Sequence, residues 1–274
     1  MPIDSIALSG AARTSLMSLQ RTEQQSADRQ SALSSGKRVN SVRDDAVAFL
    51  AARALSEQAS DLAAVKDRSS TGISTVGAAI DGATTVDTLL GQLRGIAQAA
   101  QGSDSATERA AFADQFNTVR AQIDQVVGDS SYQGTNLLNA GSSLNAGNVA
   151  VAGRDSSSAG LGLPTAATDG TGFTDPNIGV GNGAIEATLT RIDAAAAQIR
   201  ATQAALGSSI SAMTIQADHA QQLGNVAAEA GLRLTQADQT EEAAALTASR
   251  TRQQLSRVTM TIGRQQQASI LSLF

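Results

Sequence analysis

Cysteine and tryptophan are absent from this chain, and histidine occurs once, at His219. Without cysteine, disulfide bonds and thiolate metal ligands are excluded. A catalytic triad would have to use His219, which we expect to be a surface or groove residue in mid-helix. The acidic pairs Asp44-Asp45 and Glu241-Glu242 do not form a calcium-loop pattern and fit helix starts better. We therefore expect no enzyme, no cofactor and no metal site.

Aromatic residues make up only 2% of the chain and charged residues only 16%. Because large rings supply much of the buried area in a compact core, this composition predicts long helices packed side by side through small residues. The net charge of −5 argues against nucleic acid as a partner, and we expect the basic cluster Lys37, Arg38 and Arg43 to be a solvated turn.

Long apolar runs are also missing, since none approaches the roughly 18 to 20 residues of a membrane span. The sequence therefore predicts no membrane insertion. Residues 1–5 lack the basic segment and apolar core of a cleavable signal peptide. The lack of cysteine fits an exported protein, which would then need another route out of the cell.

Both ends of the chain can form helices, but their apolar faces are thin. Burying a large side chain gains about 1.5 to 3 kcal/mol, whereas ordering each backbone residue costs about 1 to 2 kcal/mol. We therefore expect these ends to become ordered only against each other and against neighbouring subunits. The residues predicted to carry this self-assembly are Leu8, Leu16, Leu19, Leu33, Leu246, Leu255, Val258, Ile262, Ile270 and Leu273.

Regular apolar spacing predicts two long helices between the ends, over residues 45–101 and from residue 184 to about 234, which pack as a pair. In the second helix Ile185, Ile192, Ile199, Leu206, Met213, Ala220, Ala227 and Leu234 lie seven apart. Five glycines interrupt the first helix, and we interpret them as points of close backbone approach: Gly72, Gly77, Gly82, Gly91 and Gly95. Gly102 ends that helix.

A third helix is predicted from the S-x-x-E capping box of Ser105 and Glu108 to Gly128. Half of the 24 glycines lie between residues 128 and 183, which predicts a non-helical middle. A short strand at 148–152 could pair with a partner near Leu161 or Leu163. The Gly-rich residues 179–183 fit a flexible connector rather than a nucleotide-binding loop, because no lysine follows.

Hydroxyl side chains crowd this middle region. The candidate O-glycosylation sites are Ser156, Ser157, Ser158, Thr165, Thr168, Thr171 and Thr174. An unmodified loop fits the composition equally well.

The segment from residue 33 to residue 53 predicts a joint between two helices. Gly36 suits the left-handed residue that closes a helix, Asn40 or Ser41 can cap the next one, and Asp44 with Asp45 falls at its start. The run also resembles the N-terminal signature of bacterial flagellins. The matching residues are Leu33, Ser34, Ser35, Gly36, Arg38, Val39, Asn40, Ser41, Arg43, Asp44, Asp45 and Ala46, continued by Ala52 and Arg53.

Two further stretches resemble the same family. One is the exit from the third helix, residues 129–138, where Gln133 replaces the usual Asn. The other is the C-terminal segment, which includes Glu241-Glu242-Ala243 and residues 265–274. The N-terminus departs from the family because it lacks the common Asn-Thr-Asn, which keeps a hook-filament junction protein of the same superfamily as the alternative.

The resemblance implies a subunit that is exported through the flagellar type III secretion apparatus and self-polymerises into an extracellular filament for motility. It also implies an export chaperone, hook-associated junction proteins and a cap protein as partners. We expect a mainly α fold of long antiparallel coiled-coil helices from both chain halves, with a small β or loop region in the middle.

That architecture divides the chain into three regions. Terminal helices at 1–40 and 235–274 would form an inner core, 41–138 and 184–234 a helical rod, and 139–183 the loop region. The hinge between the inner and outer layers would consist of Gly36, Arg38, Asn40, Arg43, Asp44 and Asp45.

The resemblance extends to the helical surface that the innate-immune flagellin receptor of animals recognises, which in receptor-active relatives has the pattern Gln-Arg-Val-Arg-Glu-Leu-Ala. Residues 91–97 match it only in part: Gln92 stands at the first arginine, Arg94 is kept, and Gly95 stands at the glutamate. We therefore expect weak recognition by this receptor.

Overall fold

The computed structural model describes residues 10–166 and 182–271 and confirms a mainly α fold with a small β region in the middle. Leu8, Leu273, Thr168, Thr171, Thr174 and residues 179–181 lie outside this part, as does the side chain of Ile270. The elements in chain order are α1 (Gly10–Ser35), α2 (Ala46–Gln101), α3 (Ala106–Asp129), β1 (Ser143–Ala146), β2 (Val149–Ala152), α4 (Asn182–Thr235) and α5 (Gln239–Leu271).

The chain divides into two compact units. Unit 1 takes residues up to Ala59 and from Asn225 onward, and unit 2 takes Ser60–Gly224. Helices α2 and α4 contribute residues to both units.

Unit 2 has one core, to which α2, α3, α4, the two strands and the segment after them all contribute. Helices α2 and α4 run antiparallel in it, because Arg94 pairs with Asp193 at 3.0 Å while Gln203 Nε2 donates to Thr84 Oγ1 at 3.2 Å. The seven-residue row of α4 is buried as its spacing predicts, at Ile185, Ile192, Ile199, Leu206 and Met213. The predicted pairing of the two long helices is therefore confirmed within this unit.

Two of the five glycines in α2 are points of close approach. A Cβ added at Gly72 would lie 2.6 Å from Ala146 Cβ, and one at Gly82 would lie 2.7 Å from Ser130 Cβ. Both glycines therefore let the non-helical middle pack directly on the helix backbone. The same interpretation is wrong for Gly77, Gly91 and Gly95, where an added Cβ would have nothing within 4 Å.

The predicted N-cap of α3 is present, but the direct hydrogen bond expected between the Ser105 N–H and the Glu108 carboxylate is replaced by two hydrogen bonds through Ser103. The Glu108 backbone N–H donates to Ser105 Oγ at 3.4 Å, as the capping box requires. The Glu108 carboxylate, however, accepts from Ser103 Oγ at 2.6 Å, and Ser103 Oγ in turn accepts from the Ser105 N–H. Ser103 therefore bridges the Glu108 carboxylate and the Ser105 N–H.

The predicted strand at 148–152 is correct, but its predicted partner is wrong. Strand β2 pairs antiparallel with β1, in a register that places Leu144 opposite Val151. Gly147, with φ +64°, supplies the turn between them. Leu161 and Leu163 are instead buried in the unit 2 core. Strand β1 has no β-branched residue, which is why the sequence did not indicate it.

Two side chains of α3 hold the segment that follows the strands. Asn117 accepts from the Ala166 N–H at 3.0 Å and donates to the Ala166 carbonyl at 2.8 Å, as a paired strand would. About two helical turns further along α3, both carboxylate oxygens of Asp124 accept hydrogen bonds from Ser158. One accepts from the Ser158 N–H at 2.7 Å and the other from its hydroxyl at 2.8 Å. Because each contact is two-point, the segment is fixed in orientation as well as position.

The exit from α3 contains a two-residue turn with an unfavourable residue. Gln133 and Gly134 both have positive φ, and Tyr132 and Thr135 exchange two backbone hydrogen bonds of 3.0 Å across them. Glycine and asparagine tolerate this conformation better than glutamine does.

We expect Gln133→Asn to raise the free energy of unfolding by about 0.5 to 1 kcal/mol, because it relieves left-handed strain without removing a contact. Gln133→Val, which adds a β-branched side chain at the same site, should lower it. Urea unfolding followed by circular dichroism measures both. An asparagine variant less stable than the parent chain would contradict this account of the turn.

Candidate assembly surface

The joint between α1 and α2 has the geometry that its sequence predicts at Gly36. The residue ends α1 with φ +68°, a left-handed conformation that glycine adopts without a Cβ penalty. Within the loop, the Asn40 side chain donates to the Lys37 carbonyl at 3.1 Å, and Ser41 Oγ accepts from the Arg43 N–H. Neither Asn40 nor Ser41 caps α2, so that expectation was wrong.

The two adjacent aspartates of the joint have different partners. Asp45 is the residue that caps α2, since its carboxylate accepts from the Ala48 N–H at 2.9 Å. Asp44 instead accepts from the backbone N–H groups of Asn40 and Ser41, at 2.9 and 2.8 Å, and so closes the loop on itself. These two hydrogen bonds lower the pKa of Asp44, and the one from Asn40 has the larger effect. Desolvation raises the pKa by a smaller amount.

We expect the loop to loosen in acid. Because the pKa of Asp44 is lower in the folded chain than in the unfolded one, its contribution is fully present above the unfolded value of about 3.9 and is lost as the pH falls through the folded value. Carboxyl-carbon NMR should show Asp44 titrating below 3.9, and Asp44→Asn should remove this step. An Asp44 titration at or above 3.9 would contradict the role assigned to it.

The joint also connects the two halves of the chain. Lys37 and Gln236 form an isolated antiparallel bridge, the Arg38 N–H donates to the Thr235 carbonyl at 2.7 Å, and the Ala237 N–H donates to the Gly36 carbonyl at 3.0 Å. Residues 36–38 of the N-terminal signature stretch are thus joined by backbone hydrogen bonds to residues 235–237, just before α5, in unit 1.

The first and last helices, α1 and α5, pack antiparallel against each other, and this pair is called the hairpin although the two helices are distant in sequence. The side chains between them are mostly polar or small. Arg29 pairs with Glu242 at 2.7 Å, and Gln253 Nε2 donates to the Thr22 carbonyl at 3.2 Å. Among the side chains that the structure describes on these two helices, Ser249 and Ala32 are the buried ones. The hairpin is therefore held mostly by polar contacts and small side chains, with Leu19, Leu33 and Leu246 only partly buried.

The large apolar side chains of the hairpin lie mostly outside this seam. On α5, Leu255 is 62% exposed, Val258 56% and Ile262 52%, while on α1 Met17 is 51% and Leu16 39% exposed. Leu19, Leu33 and Leu246 are partly buried. A single chain therefore leaves most of the predicted assembly residues that the structure describes in contact with solvent.

The candidate modification sites differ in accessibility. Ser156 and Ser158 are buried, and Ser157 is partly buried with its hydroxyl donating to Asp155 at 2.6 Å. Thr165 is exposed. In the receptor-like stretch Gln92, Arg94 and Gly95 are all exposed, and Arg94 forms the ion pair with Asp193 already described.

The structure places two of the residues considered for catalysis or metal binding. His219 is exposed on α4, and the Glu242 carboxylate forms an ion pair with Arg29. No group of three or more histidines or acidic residues in residues 10–166 and 182–271 could hold a metal ion. Within the same residues, no helix has the length and apolar character of a membrane span.

Comparison with known proteins defines the class. Residues 6–143 match the family model for the bacterial flagellin N-terminal helical region. Two flagellins of Caulobacter vibrioides, FljK and FljM, are 28% and 27% identical to this chain over the whole length of both proteins. The crystal structure of Bacillus cereus flagellin covers 56% of this chain and 88% of its own, at 16% identity and a TM-score of 0.46.

This chain belongs to the bacterial flagellin family, which is a family of structural proteins. The resemblance of residues 33–53 to the flagellin signature is thereby confirmed.

Proposed function

We propose that this chain is a filament subunit that leaves the cell through the flagellar type III apparatus and polymerises outside it for motility. The observation that carries the proposal is the outward position of Leu255, Val258 and Ile262 on a hairpin whose own interior is polar. Exposed apolar area of this kind is stabilised only when another surface covers it, and removal from water is worth about 25 cal/mol per Å².

A filament subunit is favoured over a hook-filament junction protein because the relatives that match this chain along its whole length are named flagellins. As partners we propose an export chaperone before assembly, and the cap and hook-associated junction proteins at the filament ends. We further propose that the terminal helices form the inner layer, with the joint at Gly36, Arg38, Asn40, Arg43, Asp44 and Asp45 as the hinge to an outer rod.

Among the described candidates, an O-linked modification would use Thr165, which is exposed, or Ser157, which is partly buried. Buried hydroxyls such as Ser156 and Ser158 would require local unfolding before a sugar could be attached.

Seeded polymerisation tests the main proposal. Purified chain is mixed with short filament fragments of the same protein and followed by sedimentation and negative-stain electron microscopy. A filament subunit should extend the seeds into long polymers, whereas a junction protein should stop at short rings. Chain that remains monomeric with seeds, while keeping its helical circular dichroism spectrum, would refute the proposal.

A further inference from the structure

Unit 1 contains an open groove of about 370 Å³ between the start of α2 and the end of α4. Phe49, Ala52 and Ser56 line it from α2, and Gly231 and Leu232 line it from α4. The two helices approach closely at one point, where a Cβ on Gly231 would lie 3.3 Å from the Ala52 carbonyl oxygen. Small residues thus bring the backbones together and leave a largely apolar depression beside them.

The same helix α2 carries an apolar strip that does not line the groove. Val47 is 80% exposed and Leu50 is 58% exposed. Ala54 is exposed as well and continues this face, because residues three, four and seven apart share one side of a helix. The outward strip therefore consists of Val47, Leu50 and Ala54.

We propose that the outward strip of one copy docks into the groove of the next copy. This inference rests on the proposed filament function and deepens it, because it assigns one lateral contact between subunits. The strip projects aliphatic side chains that the groove can accept. The two surfaces are also different from each other, so the contact is heterologous and repeats into an open helix wherever its rotation does not close a ring.

Charge supports a second copy as the occupant. The groove is lined by two cationic side chains, Lys37 and Arg53, and its lining includes no carboxylate. The strip is bordered at its two ends by the carboxylates of Asp44 and Glu57, both on exposed residues.

Some of that charge is already paired within the chain, since Arg53 contacts Glu57 at 3.0 Å on its own helix. The Asp44 carboxylate keeps its charge while it accepts from two backbone N–H groups of its own loop, so Lys37 beside the groove and Asp44 beside the strip are the charges that would meet across the contact. Opposite charges placed this way set register and partner choice more than affinity.

Single cysteines test the assignment directly because the natural chain has none. Leu50→Cys and Leu232→Cys are made as separate proteins, mixed in equal amounts, polymerised on seeds and oxidised. Disulfide-linked dimers should form in the mixed filaments and be at least tenfold less abundant in filaments of either variant alone. Ala48→Cys mixed with Leu232→Cys is the matched control, since residue 48 lies about 160° away from residue 50 around α2 and does not line the groove.

Dimers in filaments of Leu50→Cys alone would show that the strip meets its own copy and would overturn the proposal. Filaments without cross-links, or equal cross-linking at residue 48, would overturn it as well. Leu50→Glu should raise the concentration needed for polymerisation at least tenfold, whereas Ser60→Glu, at an exposed position of α2 outside the strip, should change it less than twofold. Failure of the parent chain to polymerise would instead reject the filament function, and this inference with it.

Discussion

Replacing Leu255, Val258 and Ile262 together by serine should abolish polymerisation and leave the monomer folded. All three side chains are more than half exposed in the single chain, so the monomer loses little when they are removed. If assembly buries them, each contributes about 1.5 to 3 kcal/mol, and the total loss of at least about 4 kcal/mol corresponds to roughly a thousandfold in association.

The measurements are sedimentation after seeding and circular dichroism of the unassembled protein. Thr251, Gln254 and Thr259 are exposed polar residues of the same helix, and changing them together to serine is the matched control. Deleting residues 238–274 should have the same effect as the apolar triple variant. Normal filaments from either altered chain would show that the outer face of α5 is not an assembly surface.

The second large effect concerns the animal innate-immune flagellin receptor. The unmodified chain should activate it weakly, and Gln92→Arg combined with Gly95→Glu should raise the response at least a hundredfold. Interface arginines often contribute about 2 kcal/mol or more, and about 1.4 kcal/mol already equals a tenfold change in affinity. The structure accommodates both side chains, because Gln92 is exposed and a Cβ at Gly95 meets nothing within 4 Å.

A receptor-reporter assay with monomeric protein measures this effect. Ser74→Arg with Gly77→Glu is the matched control, since it introduces the same charges at the same spacing on the same helix, and Gly77 also has open space. A response from the unmodified chain equal to that of a receptor-active flagellin would refute the prediction. It would indicate that contacts elsewhere on the surface replace the two charged ones.

Sequence periodicity predicted the elements that bury large side chains at regular spacing. The row Ile185, Ile192 and Ile199 is buried along one face of α4 because a seven-residue repeat keeps one face toward a partner helix. Gly36 was predictable for a different reason, since few other residues take its left-handed conformation.

What the sequence did not predict depends on contacts between distant residues. Ser69 and Thr75 are buried on α2 although neither is apolar, because close packing selects for size there. The two-point contacts of Asn117 with Ala166 and of Asp124 with Ser158 join positions 49 and 34 residues apart, so no local pattern indicates them. Apolar character alone indicates the assembly residues, whereas the outward position of Leu255, Val258 and Ile262 depends on the polar contacts between α1 and α5, which lie far apart in the sequence.

That polar seam also determines which part of the molecule opens first. Separating α1 from α5 exposes little apolar surface, so the step should have a small heat-capacity change and a weak dependence on denaturant. Amide hydrogens of the hairpin should therefore exchange with solvent well before those of the unit 2 core in the free chain. Once neighbouring copies cover the exposed leucine, valine and isoleucine, the same amides should become slow to exchange. Hydrogen exchange at the chain ends would then report assembly amide by amide.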